Sequence, residues 1–460
     1  MNYSDSVYKK NRCTPWHLEE EISLLEHTSS MPDSQMALCL VCILLIPFAW
    51  AGLAMLQTGL NRARGATHAA LAASYAALVA MLAYVLVGSS VQGASGGAGH
   101  ELHIAGKAWS MAGAGPLLLH GFPFASAFAS LTVLFLLFAV ALAAIPATAA
   151  GAERWRLAPM AISTTIFAGL LLPLFSHWVW GGGWLAQLGA NSLLGAGVLD
   201  ASGSGCIQAM AGLFALSIAW TLGPRLNKFD PDGTPNATPG HDAPAVLLGC
   251  LLALPGWMGL NCAGAILFAG SNLAQLVTVV MNTALCAAAG MLAVLAITRL
   301  RFGRPDASLG ANGCIGGLAA SSAVALYLHP ATALLLGAVV GALVLVSIGF
   351  IESQLRVDDP AAAISVHGVG GLCGLLAAGL VAHPLDAPAV EHGQMAAQLV
   401  AVAVLLCLML PLSLGVNWLL HRLLPQRVPA EGERHGIDLF ELGSGAYPEF
   451  ATHHEDFMQR

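Results

Sequence analysis

The sequence predicts an all-α membrane protein with eleven transmembrane helices. Composition supports this class: of 460 residues, 57% are hydrophobic and only 9% are charged, and the mean hydropathy is +0.73. A soluble protein carries about 25% charged residues. The second observation is the series of long apolar runs along the chain, because a helix needs about 20 apolar residues to cross the hydrocarbon core. Nothing in the charge distribution indicates a nucleic-acid surface.

Eleven windows satisfy this length requirement. They lie near residues 35–60, 66–90, 124–149, 158–179, 203–223, 243–268, 271–297, 308–327, 331–352, 361–383 and 394–420. The sequence therefore predicts a polar N-terminal extension (1–33), an eleven-helix membrane domain (34–423) and a C-terminal tail (424–460).

The basic residues predict the orientation. Of the 18 Lys and Arg residues, all except Lys9, Lys10, Arg12 and Lys107 lie in the tail or in the loops after windows 1, 3, 5, 7 and 9. Because cytoplasmic loops carry an excess of Lys and Arg, we expect the N-terminus outside and the tail in the cytoplasm. Three of the exceptions lie in the first twelve residues, so we hypothesise that translation starts naturally at Met31 and that the preceding residues are not translated.

The fifth and tenth windows share a motif. His367 lies eight residues after Asp359, and Gln208 lies eight residues after Asp200. In both windows a Gly-Leu pair begins four residues further along. The shared spacing predicts that the two windows occupy equivalent positions in two copies of one unit.

A second echo links the first and sixth windows, where Trp-x-Gly-Leu begins at Trp50 and at Trp257. Spans 1–5 and 6–10 are therefore predicted to form two copies, and since five is odd, the second copy enters from the opposite face as an inverted repeat. A rise of about 1.5 Å per residue carries both side chains of the motif about 12 Å inward from opposite faces. We therefore expect His367 to face Gln208 near the midplane.

An ionisable residue within a membrane span marks a functional site by default. The alternative for His367 is a structural histidine that hydrogen-bonds to a neighbouring helix. The sequence contains no nucleophile–base arrangement and no metal-ligand spacing, so we expect neither an enzyme nor a cofactor.

Six stretches of the sequence resemble the ammonium transporter/methylammonium permease/Rhesus protein family. They are WAGLAMLQTGLNRARG (50–65), GAERWRL (151–157), HWVWGGGWLA (177–186), GWMGLNCAG (256–264), LRVDDPAAAISVHGVGG (355–371) and GIDLFELGSGAYPEF (436–450). The resemblance runs from the first window to the tail, and VDDP followed by HGVGG is its most specific part.

The resemblance implies eleven helices in an inverted repeat and a homotrimer in the cell membrane with one narrow hydrophobic pore per subunit. In the family, an outer site recruits the cation, two stacked phenylalanines lie below it, and two histidines line the channel. A trimeric PII-type regulator commonly binds the cytoplasmic face. These features imply transport of ammonium or ammonia.

Some family site residues are retained here. Trp180 matches the recruiting tryptophan, Asp200 matches the aspartate before helix 5, and Asn261 and His367 match their counterparts. Trp180 is alternatively an interfacial tryptophan without a cation role. Asp200 is alternatively a helix N-cap, which we favour over a direct cation ligand.

Other site residues depart from the family pattern. Gln208 replaces the first pore histidine, Leu260 replaces the inner gating phenylalanine, and Gly264 replaces the serine of the recruitment site. The outer gating phenylalanine aligns with Ala139 without a gap and with Phe138 after one gap, and we assign it to Phe138. A glutamine cannot titrate, so these departures keep a second function open, that of a non-conducting ammonium sensor.

Overall fold

The computed structural model describes residues 31–94, 99–382, 393–447 and 449. Within these ranges one long helix lies in each predicted window. The helices are α1 (Asp33–Leu60), α2 (Ala63–Gln92), α3 (Ala127–Ala150), α4 (Leu157–Trp180), α5 (Ser204–Leu222), α6 (Ala243–Ala269), α7 (Leu273–Phe302), α8 (Ala307–Val324), α9 (Pro330–Ser353), α10 (Ile364–Val381) and α11 (Gln394–Leu423). The residues before the proposed start at Met31 and the last residues of the tail lie outside the described residues.

Ten of these helices are long and apolar enough to cross a membrane. The remaining one, α8, has 18 residues, and every residue from Gly310 to Val324 is buried. Because α8 packs against α6, α7, α9 and α10 rather than facing lipid, its sequence needs less apolar character. The all-α membrane fold is confirmed, whereas eleven crossings and the sidedness of the termini remain predictions.

Between α2 and α3 the chain forms a β-hairpin that the apolar windows did not predict. Its antiparallel strands are β1 (His100–Ile104) and β2 (Lys107–Ala112). The backbone N–H of Trp184, in the loop after α4, donates to the carbonyl of Ser110 at 2.9 Å. The hairpin thus covers the same end of the bundle as the α4–α5 loop.

Helices α1 and α6 pack closely, and their contacts are reciprocal. A Cβ added at Gly52 would lie 2.5 Å from the carbonyl oxygen of Gly249, and one added at Gly259 would lie 2.4 Å from that of Cys42. Gly52 and Gly259 occupy equivalent positions of the Trp-x-Gly-Leu echo, and so do Cys42 and Gly249. This exchange of equivalent partners is the contact pattern of two copies related by a pseudo-twofold axis.

At one end of the bundle, the loops after α1, α3, α5 and α9 meet in a buried ion network. Arg225 donates to Asp358 at 2.8 and 3.0 Å and to Glu153 at 2.7 Å, while Arg62 pairs with Glu153 from the other side. Burial alone would raise the pKa of Asp358, but the guanidinium groups of Arg154 and Arg225 hold it well below its usual range. Four of the five loops that carry the predicted cytoplasmic charges therefore gather on one face.

The described part of the tail packs on this same end. Asp438 accepts hydrogen bonds from the backbone N–H groups of Thr67 and His68 near the start of α2, at 3.1 and 2.7 Å, and Glu441 accepts one from the first residue of α4 at 3.1 Å. At the opposite end, Gln35 in the first turn of α1 donates to the carbonyl of Ser271 at 2.7 Å. The first and last described helical segments therefore lie at opposite ends of the bundle.

Candidate functional site

The two crossing helices, α5 and α10, begin in the same way. Each follows an aspartate, Asp200 or Asp359, and each opens with a π-helical turn, over Ser204–Ala209 and Ile364–Val369. Such turns also lie within α2, α4 and α11, so the feature that α5 and α10 share is a π-helical turn at the very start of the helix.

Glycines allow these two helices to cross at backbone distance. A Cβ at Gly212 would lie 2.0 Å from the nitrogen of Gly368, and one at Gly371 would lie 2.5 Å from the nitrogen of Ala209. Gly212 and Gly371 each lie twelve residues after their aspartate, and their partners each lie nine residues after it. The crossing therefore repeats the reciprocity of α1 and α6.

The crossing brings His367 and Gln208 into contact. The Nδ1 atom of His367 lies 2.7 Å from Oε1 of Gln208, and the two residues are only 4% and 1% exposed. Since a carboxamide oxygen only accepts, Nδ1 carries the proton and donates, which leaves Nε2 as an acceptor when the ring is neutral. The Nε2 group of Gln208 is buried without a protein partner. The pair thus offers a donor and an acceptor to a small polar molecule.

A small cavity reaches His367. Residues of α1, α3, α8, α10 and the segment just before α10 line it, and most of these are apolar. Two further polar side chains, Gln57 and Asn312, lie in its wall, and Oδ1 of Asn312 is buried without a partner. A small hydrogen-bonding molecule therefore fits this cavity better than a larger apolar one.

Trp180 ends α4 within an aromatic cluster. Its Nε1 donates to the carbonyl of Asp200 at 2.7 Å. Phe268 stacks on its ring with 4.6 Å between centroids and 1° between planes, and Phe135 packs against it at 6.0 Å and 73°. The hydrogen bond fixes the tryptophan ring beside the start of α5.

Asp200 is a helix cap in this structure. Each of its two carboxylate oxygens accepts two backbone N–H groups of residues 203–206, at 2.8 or 2.9 Å. The residue is buried, and this set of donors stabilises the carboxylate where the helix dipole also favours negative charge. The geometry supports the interpretation of Asp200 as a cap over that as a direct cation ligand.

Asn261 connects α6 to its neighbours. Its Nδ2 donates to Thr283 at 2.9 Å and to Ser321 at 3.0 Å, while its Oδ1 is buried without a partner. Leu260, the preceding residue, is fully buried. The free oxygen is the part of Asn261 that can accept from a substrate.

Gly264 has no room for a side chain, because Ser202 fills the adjacent space. A Cβ at Gly264 would lie 2.5 Å from Oγ of Ser202, which donates to the carbonyl of Asn261 at 2.9 Å. A hydroxyl from the loop before α5 therefore lies where a side chain at position 264 would be. Sequence reasoning missed Ser202, although its position two residues after Asp200 placed it near the site.

The assignment of the outer gating phenylalanine to Phe138 remains a prediction. The ring of Phe138 packs edge-on against Trp50 at 5.0 Å, and its carbonyl accepts from Nε1 of Trp50 at 3.2 Å. The phenylalanine that contacts Trp180 is Phe135, about one turn earlier. Phe135 and Phe268 were both missed, although Phe268 lies four residues after Gly264 and therefore on the same side of α6.

Two five-helix halves of opposite direction, crossing at a buried polar pair, define a membrane protein of the inverted-repeat transport type. The sequence matches the profile of the Ammonium Transporter Family over residues 37–447. The chain belongs to this family.

Curated relatives agree with this membership. The ammonium transporter Amt2 of Archaeoglobus fulgidus is 31% identical over 426 residues, which cover 89% of this chain and 87% of that protein. Amt1 of Methanocaldococcus jannaschii is 34% identical over 299 residues, covering 65% of this chain and 72% of that protein.

Solved structures show the same fold. A sensor Amt protein superposes with a TM-score of 0.79 at 25% identity and covers 88% of this chain and 98% of that chain. Candida albicans Mep2 superposes with a TM-score of 0.71 at 25% identity, with 92% of both chains covered.

Proposed function

We propose that this protein carries ammonium or ammonia across the cell membrane through a narrow pore between its two halves. The observation that carries the proposal is the 2.7 Å contact between His367 and Gln208 at the crossing of α5 and α10. The relatives named as ammonium transporters support the choice of substrate.

The outer mouth concentrates the cation in this proposal. Trp180 provides a ring face, and a cation over a tryptophan gains about 0.5–2 kcal/mol. Asp200 stabilises the site indirectly in two ways. Its carboxylate caps α5, and its backbone carbonyl accepts the hydrogen bond from the Trp180 indole. Asn261 Oδ1 and the hydroxyl of Ser202 are polar groups at this level of α6.

The centre of the pore binds neutral ammonia in this proposal. A bare cation is very costly to bury without a partner, so ammonium must give up its proton or find aligned acceptors. Ammonia can accept from the free N–H of Gln208 and donate to Nε2 of neutral His367. Because Gln208 cannot titrate, His367 is the proton-exchanging member of the pair.

Uptake of methylammonium or ammonium in a strain that lacks its own transporters tests this function. We expect growth to be restored at limiting ammonium. Failure of rescue, with the protein confirmed in the membrane, would contradict transport. The charge moved per substrate in proteoliposomes then distinguishes net transport of the ion from transport of the gas.

A second candidate function is a non-conducting ammonium sensor with the same fold. The glutamine at position 208, which interrupts a proton path between two imidazoles, favours it, and so does the likeness to a sensor Amt protein. Tight ammonium binding in liposomes that show no flux would decide for the sensor.

We infer two partners from family membership. The chain forms a homotrimer, which native mass spectrometry of the detergent-solubilised protein tests. A PII-type regulator binds the cytoplasmic face, where the tail packs over the ion network, and a pull-down from nitrogen-replete cells tests this binding. Recovery of monomers alone, or of no PII-type protein, contradicts the respective inference.

A further inference from the structure

One face of α6 carries an aromatic residue to which the family resemblance assigns no role. Leu260, Gly264 and Phe268 are spaced four residues apart and therefore share a face of the helix. The first two positions belong to the predicted pore. Phe268 lies about two turns beyond Leu260 and one turn beyond Gly264. Its ring is parallel to that of Trp180, with 4.6 Å between centroids.

Phe135 does not cover the other face of Trp180. Its centroid lies 6.0 Å from Trp180 and 5.4 Å from Phe268, at angles of 73° and 72°. If Phe135 lay over the opposite face of the indole, its distance to Phe268 would be near the sum of the other two separations. It therefore lies beside the stack, and Phe268 is the member of this cluster that covers a face of Trp180.

The covered face is the one that a cation approaching along α6 would need. A cation binds tryptophan over the ring face, within about 6 Å of the centroid, and Phe268 already occupies this distance. The covered side is turned toward α6, which carries Gly264 of the predicted recruitment site.

The position of Phe268 at the end of α6 leaves its ring free to change rotamer. It is one residue from the end of α6 at Ala269, and Gly270 follows with φ of +63°, so the next turn of helix does not confine the ring. The residue is partly exposed, unlike the fully buried Phe135 and Leu260.

We propose that Phe268 is a further gate at the mouth of this pore, separate from the gating position assigned to Phe138: its ring covers Trp180 at rest and turns aside when a cation binds. The aromatic plug of α6 thus lies about 12 Å further out than the family position that Leu260 occupies. The identity of the cation rests on the proposed function, whereas the gate itself does not.

Access to Trp180 tests the gate without transport. Quenching of tryptophan fluorescence by Cs⁺ is measured in detergent, and the contribution of Trp180 is taken as the difference from the Trp180→Phe variant. We expect Phe268→Ala, and Phe268→Leu as a better space-filling variant, to raise the quenching constant of Trp180 roughly twofold or more. Phe124→Ala is the matched control, because Phe124 is 66% exposed and its ring contacts Phe122.

Substrate binding tests the same gate by a second route. Uncovering Trp180 should tighten the apparent affinity for methylammonium by roughly 2- to 30-fold in both variants of Phe268. Unchanged quenching in both variants overturns the gate whether or not the protein transports. Raised quenching with unchanged or weaker affinity in a binding-competent protein also overturns it. Raised quenching in a protein that neither binds nor transports methylammonium supports the gate and contradicts only the proposed function.

Discussion

In both halves of the inverted repeat the crossing helix follows an aspartate, but the two aspartates differ in their hydrogen bonds. Asp200 accepts four backbone N–H groups, whereas Asp359 accepts one from Ile364 at 2.7 Å and keeps its Oδ1 buried without a partner. Eight residues later the first half carries Gln208 and the second carries His367. The first half is therefore the more firmly capped and carries a carboxamide at the crossing, while the second carries the titratable imidazole there. The two halves therefore share the backbone geometry of the crossing but differ in the side chains at its centre.

The largest expected effect concerns the central pair. His367→Ala should lower methylammonium flux by roughly 10²-fold, because it removes the titratable group of the pair. Gln208→Ala should lower flux less, since water can replace a hydrogen-bonding amide but not an imidazole proton acceptor. Initial uptake rates, normalised to protein in the membrane, measure both. Equal losses in the two variants would show that the halves contribute equally.

The two aspartates should respond in opposite ways to the same substitution. Asp200→Asn places an amide donor against backbone donors and should cost about 1–3 kcal/mol of stability, seen as a lower melting temperature in detergent. Asp359→Asn can keep an oxygen for the Ile364 N–H and removes a buried charge with one unpartnered oxygen, so it should not destabilise the protein at pH 7.5. A loss in Asp359→Asn as large as that in Asp200→Asn would contradict the asymmetry.

The pH dependence of Asp359→Asn sharpens this contrast. Burial raises the pKa of Asp359 to about 6, so the folded protein favours the protonated acid, and the stability from this group falls as pH rises from about 4 to about 6. The neutral variant lacks this penalty. Its melting temperature should match the native protein near pH 4.5 and exceed it at pH 7.5. A constant difference between the two proteins across this range would exclude the titration.

Substitution of the crossing glycine should destabilise the protein to a similar extent in both halves. Gly212→Ala and Gly371→Ala each force a Cβ against backbone of the partner helix, at 2.0 and 2.4 Å, and should each destabilise by about 1–3 kcal/mol. Gly349→Ala in α9 is the control, because its Cβ would meet nothing within 4 Å. Thermal melts in detergent compare the three. If either crossing variant matched the control, the close approach would not be required.

The smallest effect is expected from restoring the symmetry of side chains. Gln208→His should leave flux unchanged or raise it, because a second imidazole completes a proton path that the glutamine interrupts. Uptake assays measure this change against the native protein. A strong loss of flux would indicate that the donor N–H of Gln208 has a role that imidazole cannot replace.

Much of the site could be predicted from the spacing of residues along the chain. The Asp-x7 motif placed Gln208 and His367 at one depth, since helical rise is fixed and the two copies enter from opposite faces. The outer mouth could not be predicted in this way. Ser202, Phe135 and Phe268 reach it from a loop and two separate helices, and their side chains meet only because those elements pack together.

The sequence by itself determined the membrane class, the windows of the helices and the inverted pairing of the halves, because apolar length and residue spacing are properties of the chain alone. The tertiary structure decided which side chain fills each gap at the mouth: Ser202 takes the space beside Gly264, and Phe268 covers Trp180. Packing between elements distant in sequence settles such contacts, because the free energy depends on the volume and hydrogen bonds that neighbouring helices leave available.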